Sequence, residues 1–315
     1  ADLLLENAEQ RIYEIRSGRD SSALTPLSSS MVETLTNLQK ISGPDADKYK
    51  GIPTGFRLLD TVLTGLGRGD LIILAARPGM GKTSMGLNIA MHVAKASKKT
   101  VAVFSLEMTR EQLVTRLLAG EALVDSQKLQ TGRLSSDEWR RISSAASVLS
   151  ATDLRIDDNP SLTVSDMNAQ CRRLTDLGLV VVDYLQLMQS AGSGHSWSNE
   201  SRTQAVSDIS RMMKIMAKEL GVPVLCLSQL SRANESRQNK RPMLSDLRES
   251  GAIEQDADVV IGLYREGYYN TECENPNEAE AIILKNRRGS IGTLKLMWLP
   301  QYTTFAAMSQ RADDE

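Results

Sequence analysis

Residues 70–83 read D-L-I-I-L-A-A-R-P-G-M-G-K-T, an apolar run of strand length that breaks into a Gly-rich loop. Behind it, Met85, Leu87, Ile89, Ala90, Val93 and Ala94 have the spacing of a buried helix face. The loop itself, Ala76-Arg77-Pro78-Gly79-Met80-Gly81-Lys82-Thr83 followed by Ser84, has the composition and context of a phosphate-gripping P-loop. Its glycines let backbone N–H groups turn inward on phosphates, Lys82 reaches the β- and γ-phosphates, and the Thr83 hydroxyl is placed to ligate Mg²⁺. Ala76 stands where the usual pattern has its first glycine, and alanine is small enough for the turn. A chance Gly-rich turn between strand and helix would have no packing use for G-K-T. The loop therefore points to ATP with Mg²⁺ as the ligands.

The 315 residues are enough for an α/β domain with a large core, and one main domain is the expectation. A net charge of −2 excludes a globally basic nucleic-acid binder, so any contact with DNA or RNA must come from local clusters of Lys and Arg. Cys171, Cys226 and Cys273 are isolated and lack metal spacing, which speaks for a reducing compartment and against a disulfide scaffold. The first residues are acidic and amphipathic, unlike a signal peptide, and no run of about 18 apolar residues exists. A soluble, cytoplasmic protein without membrane contact is expected.

Leu5, Ala8, Ile12 and Ile15 fall on one face of a short helix over residues 1–17. Residues 18–50 read as a polar linker that carries a second short helix, Met31 to Ile41, and ends in G-P-D-A-D-K-Y-K-G. From residue 51 the pattern alternates: strands at Leu71–Ala76, Thr100–Ser105, Leu154–Asp157, Leu179–Asp183 and Val222–Ser228, with helical stretches between them. Such alternation predicts an α/β fold with a mostly parallel sheet flanked by helices. Val259–Tyr264, Ala281–Lys285 and Thr293–Leu299 follow one another across short turns, which predicts an antiparallel C-terminal edge. Residues 190–201 and 231–242 read as mobile loops.

In an open parallel sheet, ligands bind beyond the carboxyl ends of the strands, so polar residues that end apolar strands are the ones to inspect. Leu179-Val-Val-Val-Asp183 ends in a carboxylate, the form expected of a group that holds Mg²⁺ through water. Glu107, just past Thr100–Ser105, can polarise an attacking water, or it is a surface glutamate at a helix start. Gln229 ends the next strand with a donor and an acceptor, which suits a γ-phosphate sensor as well as an ordinary loop amide.

The ordered set G-I-P-T-G-F-R-L-L-D (51–60), A-R-P-G-M-G-K-T (76–83), S-L-E-M (105–108), V-V-V-D-Y-L-Q-L-M (180–188), S-Q-L-S-R (228–232), D-L-R-E-S-G-A-I-E-Q-D-A-D (246–258) and K-N-R-R-G (285–289) resembles the bacterial replicative hexameric DNA helicases of the DnaB family. The resemblance runs from the first helix to near residue 305. It implies a RecA-like P-loop ATPase domain over 51–315, preceded by a linker helix at 1–17. It also implies a homohexameric ring that moves 5′ to 3′ on single-stranded DNA, with a helicase loader and primase as candidate partners. By the same resemblance Lys82 and Thr83 bind phosphates and Mg²⁺, Glu107 is the catalytic base, Asp183 the metal-holding carboxylate and Gln229 the γ-phosphate sensor.

Lys285 and Arg287 match the family's K-x-R pair, whose arginine acts on ATP held by the neighbouring subunit. Read from residues alone, K-N-R-R-G is equally the solvated turn of a hairpin, and the doubled arginine leaves Arg288 as an alternative to Arg287. Arg248, Glu249 and Gly251 correspond to a loop on the DNA backbone, a mode of contact that carries no base identity. Arg232, Arg237, Lys240 and Arg241 either add positive charge beside that loop or form a solvated face. Family members carry a globular domain ahead of the linker helix, whereas residue 1 already belongs to that helix. The expectation is of ring contacts kept and a primase-contacting collar lost. A RecA-like ATPase of recombination or repair, assembled as filaments, is the alternative reading.

Overall fold

The computed structural model describes residues 26–43, 50–183 and 199–308. The chain divides into two compact units, residues 1–50 and 51–315. In the first, helix α1 (Leu27–Ser42) starts directly after Pro26. It therefore takes in Leu27 to Ser30, which the polar composition had assigned to the linker. Its apolar stripe is in solvent: Leu27, Met31, Val32, Leu35, Leu38 and Ile41 are all exposed. The helix expected over 1–17 lies outside the described residues.

The second unit is an α/β domain. After α2 (Arg57–Leu63) come β1 (Leu71–Ala76), α3 (Lys82–Ala96), β2 (Thr100–Ser105), α4 (Arg110–Ala122), α5 (Ser126–Thr131), α6 (Ser136–Ser150), β3 (Leu154–Asp157), α7 (Val164–Cys171) and β4 (Leu177–Asp183). Then follow α8 (Asn199–Leu220), β5 (Val224–Gln229), α9 (Gly251–Asp256), β6 (Val259–Tyr264), α10 (Glu266–Tyr269), β7 (Glu278–Asn286), β8 (Gly292–Leu299) and β9 (Thr304–Ala307). These strands form one sheet in the order β3-β2-β4-β5-β1-β6-β7-β8-β9. From β3 to β6 the pairing is parallel, and from β6 to β9 it is antiparallel. The sequence pattern missed β9, because T-F-A-A is too short to show alternation after the turn at Pro300–Tyr302.

The central strands are apolar on both faces because helices cover both. Ile72 and Leu74 of β1 join Met85, Ile89 and Val93 of α3 on one side. Leu71 and Ile73 join Met167 of α7 with Met213 and Met216 of α8 on the other. Where helices start, short polar side chains satisfy free backbone N–H groups: Thr109, Ser135 and Thr163 each form a reciprocal capping box, with Gln112, Glu138 and Asp166. Hydrogen bonds from Lys128 and the Ser135 backbone hold the Glu138 carboxyl down at about 2.

Two loop expectations change. Asn199 to Ser201 belong to α8, and residues 190–198 lie outside the described residues. Residues 231–242 are pinned rather than mobile: a 3₁₀ turn covers Arg232–Ser236, Arg237 pairs with the buried Asp246 at 2.6 Å, and Arg241 pairs with Glu280 at 2.6 Å. Lys240 lies over the Tyr269 ring. Three of the four cations suspected of adding charge beside the DNA loop thus make contacts within the chain.

Candidate active site

The carboxyl ends of β1, β4, β5 and β2 bring the predicted residues together. Gln229, the last residue of β5, is level with Ala76, where β1 passes into the P-loop. Ser105 is level with Asp183 across β2 and β4, and the Leu106 N–H donates to the Asp183 carbonyl at 2.7 Å. Glu107 is thereby fastened beside Asp183, with its side chain exposed. Gln229 is half-buried.

Asp183 is buried, and its two oxygens divide the P-loop groups between them. Lys82 Nζ donates to Oδ1 at 2.7 Å and Thr83 Oγ1 to Oδ2 at 2.6 Å. Residues 100 positions apart are joined only because β1 and β4 are both paired with β5. A buried ion pair of this kind holds its members in one geometry, whatever its net worth to stability.

The P-loop itself is built for close approach. Gly79 and Gly81 have positive φ values of 77° and 97°, and a Cβ on Gly81 would lie 2.8 Å from the Phe305 ring. Phe305 belongs to β9, so the antiparallel extension serves as a wall behind the loop. Arg265 donates to the Gly79 carbonyl at 3.1 Å and lies over the Trp298 ring.

Not every loop side chain faces a ligand. Arg77, expected among the nucleotide contacts, is buried and turned inward, donating to Glu235 at 2.9 Å and to the Leu230 carbonyl at 2.8 Å. Ala76 and Met80 are core residues, each 1% exposed. Pro78 has no N–H to offer. The loop groups left available to a ligand are the side chains of Lys82 and Thr83, both now on Asp183, and backbone amides.

One neighbour escaped the sequence. Arg116 of α4 is half-buried with the negative charges of Asp183 and Glu107 acting on it, while burial pulls its guanidinium pKa down. It lines a cavity of about 90 Å³ with Ser84, Asn88 and Thr304. An arginine on a helix with no motif around it gives no signal of this placement.

Lys285 and Arg287 are elsewhere. Asn286 pairs with Val259, and Val259 with Ile72, which puts the turn after β7 at the opposite end of the sheet from the P-loop. Four residues of strand, or roughly 13 Å, separate that level from Ala76. There Lys285 donates to the Glu254 carbonyl and Arg287 to the Gln255 carbonyl. Arg287 also faces the buried Asp258 at 3.5 Å. Burial and the Arg287 charge lower the Lys285 ammonium pKa. Arg288 is tied to the buried Asp70 at 2.6 Å. Burial raises the Asp70 carboxyl pKa, and the Arg288 charge opposes that shift. The backbone of 244–250 forms a 3₁₀ segment that runs into α9 at Gly251, which is exposed. The Arg248 and Glu249 side chains are outside the described set.

No group of three or more His, Cys, Asp or Glu that could hold a metal occurs among the described residues, and no described helix is long and apolar enough to cross a membrane.

Comparison with known proteins identifies the family. The family model described as the DnaB-like helicase C-terminal domain matches residues 51–307. The replicative DNA helicase DnaB of Geobacillus stearothermophilus is 47% identical over 316 residues, 99% of this chain and 68% of that protein. The replicative DNA helicase DnaC of Bacillus subtilis is 46% identical over 314 residues, again 99% and 68%. Among solved structures, one described as an ATPase domain superposes with a TM-score of 0.83 at 36% identity, covering 91% of this chain and all of that one. A DnaB-like replicative helicase described with its interactions with primase gives 0.79 at 35% identity, covering 96% and 72%. The match takes in the P-loop, the buried Asp183 that closes on it and the parallel sheet with its antiparallel edge: the chain belongs to the DnaB family of replicative DNA helicases, P-loop enzymes with a RecA-like fold.

Proposed function

We propose that this chain is the motor of a homohexameric ring that hydrolyses ATP and moves 5′ to 3′ along single-stranded DNA in the cytoplasm, unwinding duplex at the replication fork. One observation carries the shared-site part of this reading. Lys82, Asp183, Glu107 and Gln229 lie at one end of the sheet, whereas Lys285 and Arg287 lie at the other. A site that needs both sets has to be assembled from two copies.

Within such a site, Lys82 neutralises the β- and γ-phosphates and leaves its bond to Asp183 to do so. Thr83 and Asp183 would hold Mg²⁺, which is usually bound by one or two oxygen side chains together with substrate phosphates. It would supply charge neutralisation on the phosphate oxygens. Glu107, the exposed carboxylate beside Asp183, orients and deprotonates the attacking water. Gln229, level with the start of the loop, reports the γ-phosphate. Arg287 of a neighbour completes the charge. Arg288 is the weaker candidate for that role, because Asp70 holds it. The test is ATPase activity with and without single-stranded DNA, joined to negative-stain microscopy. Stimulated turnover with closed six-membered rings supports the reading, and helical filaments would move the chain to recombination or repair.

The exposed stripe of α1 fits a helix that docks on the next subunit, with the same role proposed for residues 1–17. Leu35→Asp together with Leu38→Asp is expected to shift assembly towards monomer in light scattering, since two carboxylates would have to be desolvated at the interface. Unchanged mass would remove α1 from the contact. At the DNA loop, Arg248→Ala is expected to weaken single-strand binding about equally across sequences. It should lower the salt slope of log K by roughly 0.7, the value for one lost phosphate contact. A sequence-selective loss would argue against a loop that tracks the backbone. Primase and a helicase loader remain the candidate partners of the assembled ring.

A further inference from the structure

The six residues of α9 join two places that the preceding reading treats separately. Its first residue, Gly251, ends the segment proposed to touch DNA. Two carbonyls of its last turn, those of Glu254 and Gln255, receive Lys285 and Arg287, both members of the pair proposed to reach the neighbour's nucleotide. The C-terminal end of a helix carries partial negative charge on its free carbonyls, so it is a natural seat for two cations. The span is short, roughly 9 Å for six residues. Ile253, fully buried among Leu247, Met213 and Leu71, keeps α9 packed as one body.

Beyond the helix, Asp258 fixes the other side of the seat. Its side chain is 9% exposed. One oxygen accepts from the Leu71 N–H at 2.8 Å and from Lys214, and the other faces Arg287 at 3.5 Å. The Arg287 backbone N–H donates to the Asp258 carbonyl at 2.9 Å. Lys214 is anchored in turn to the Gly69 carbonyl at 2.9 Å. Arg287 itself is 49% exposed. Asp258 is therefore held rigidly from β1 and α8, whereas the half-exposed guanidinium it faces is bonded to the Gln255 carbonyl and so depends on where α9 places that acceptor.

We infer that α9 is the rod through which a DNA strand at residues 248–251 sets the position of Lys285 and Arg287, and that Asp258 is the positioning residue against which Arg287 is seated. A displacement of Gly251 carries the carbonyls at the far end with it, and the two cations follow their acceptors. Occupancy of the DNA loop in one subunit then changes the charge presented to ATP in the next. This rests on the reading of 248–251 as the DNA loop and of Arg287 as the group acting in trans.

The test compares basal and DNA-stimulated turnover, KM for ATP and single-strand affinity in the full chain. Asp258→Asn keeps the shape and an acceptor for Leu71 but removes the charge facing Arg287. It is expected to lower the ratio of stimulated to basal kcat by roughly fivefold or more, the lower end for coupling between two sites, with KM and DNA affinity unchanged. Asp258→Glu should restore part of the ratio. A second variant, Ala252→Gly with Gln255→Gly, leaves every charge in place and only loosens the rod. It should lower the same ratio, and it decides the matter alone if Asp258→Asn does not fold. A wild-type ratio in the glycine variant, or a loss that merely follows DNA affinity, would overturn the inference. Absence of stimulation in the unmodified chain is a different result: it would overturn the DNA-loop reading itself, and this inference with it.

Discussion

Changing Glu107 to glutamine is expected to lower ATP turnover by roughly 10²–10⁴-fold, the usual contribution of a positioned general base, while ATP still binds. The substitution keeps the length and hydrogen-bonding reach of the side chain and removes only its capacity to take a proton. Its place makes the prediction specific. Glu107 follows β2 by two residues, is fastened through the Leu106 N–H to the Asp183 carbonyl, and is exposed where a water molecule can reach it. The Lys82–Asp183 and Thr83–Asp183 bonds do not involve it, so phosphate binding should survive. Nucleotide titration beside steady-state turnover checks both halves. Lost affinity with an intact turnover rate would make Glu107 a structural residue.

The second large effect comes from mixing two inactive chains. Lys82→Ala removes the cation on the β- and γ-phosphates, and Arg287→Ala removes the cation supplied from the neighbour, so each homogeneous ring should be nearly inactive. In a random mixture, about one interface in four joins an intact Lys82 to an intact Arg287, and ATPase activity should return in proportion. The sheet register motivates this result, because Arg287 lies at the far end from its own P-loop. If Arg287 acted within its own chain, every site in the mixture would stay damaged and no activity would return. An Arg287→Ala chain with normal turnover alone would pass the role to Arg288, whose bond to Asp70 would then have to open. Lys82→Ala also strips the buried Asp183 of its ion-pair partner. Melting curves should accompany the assay, with Lys82→Arg as the variant that keeps the charge.

Local chemistry made the candidate nucleotide site legible in the sequence. A P-loop is one continuous segment whose glycines and G-K-T act through their own backbone and side chains, so residues 76–84 could be read without knowing the fold. Strands buried on both faces leave unbroken apolar runs, and the residue that ends each run, Glu107 (just beyond), Asp183 or Gln229, comes into view with them. Alternation with helices was enough to predict the parallel sheet, and short turns between the last strands its antiparallel edge.

What the sequence could not carry was which distant side chains meet. Arg77 sits inside the most readable motif of the chain, yet its partner Glu235 is 158 positions away, and only the fold turned it inward. Asp258, Lys214 and Arg287 come from three separate stretches of the chain and look like ordinary surface charges until β1 places them together. The ambiguity of K-N-R-R-G was of the same kind: whether a cation is solvated or aimed at a ligand depends on what lies opposite it. The sequence by itself determined the phosphate loop, the strand-end carboxylates and the class of fold, because those are properties of contiguous segments. Only the tertiary structure decided which end of the sheet each charge occupies, because strand order and register are set by packing between segments that the chain keeps far apart.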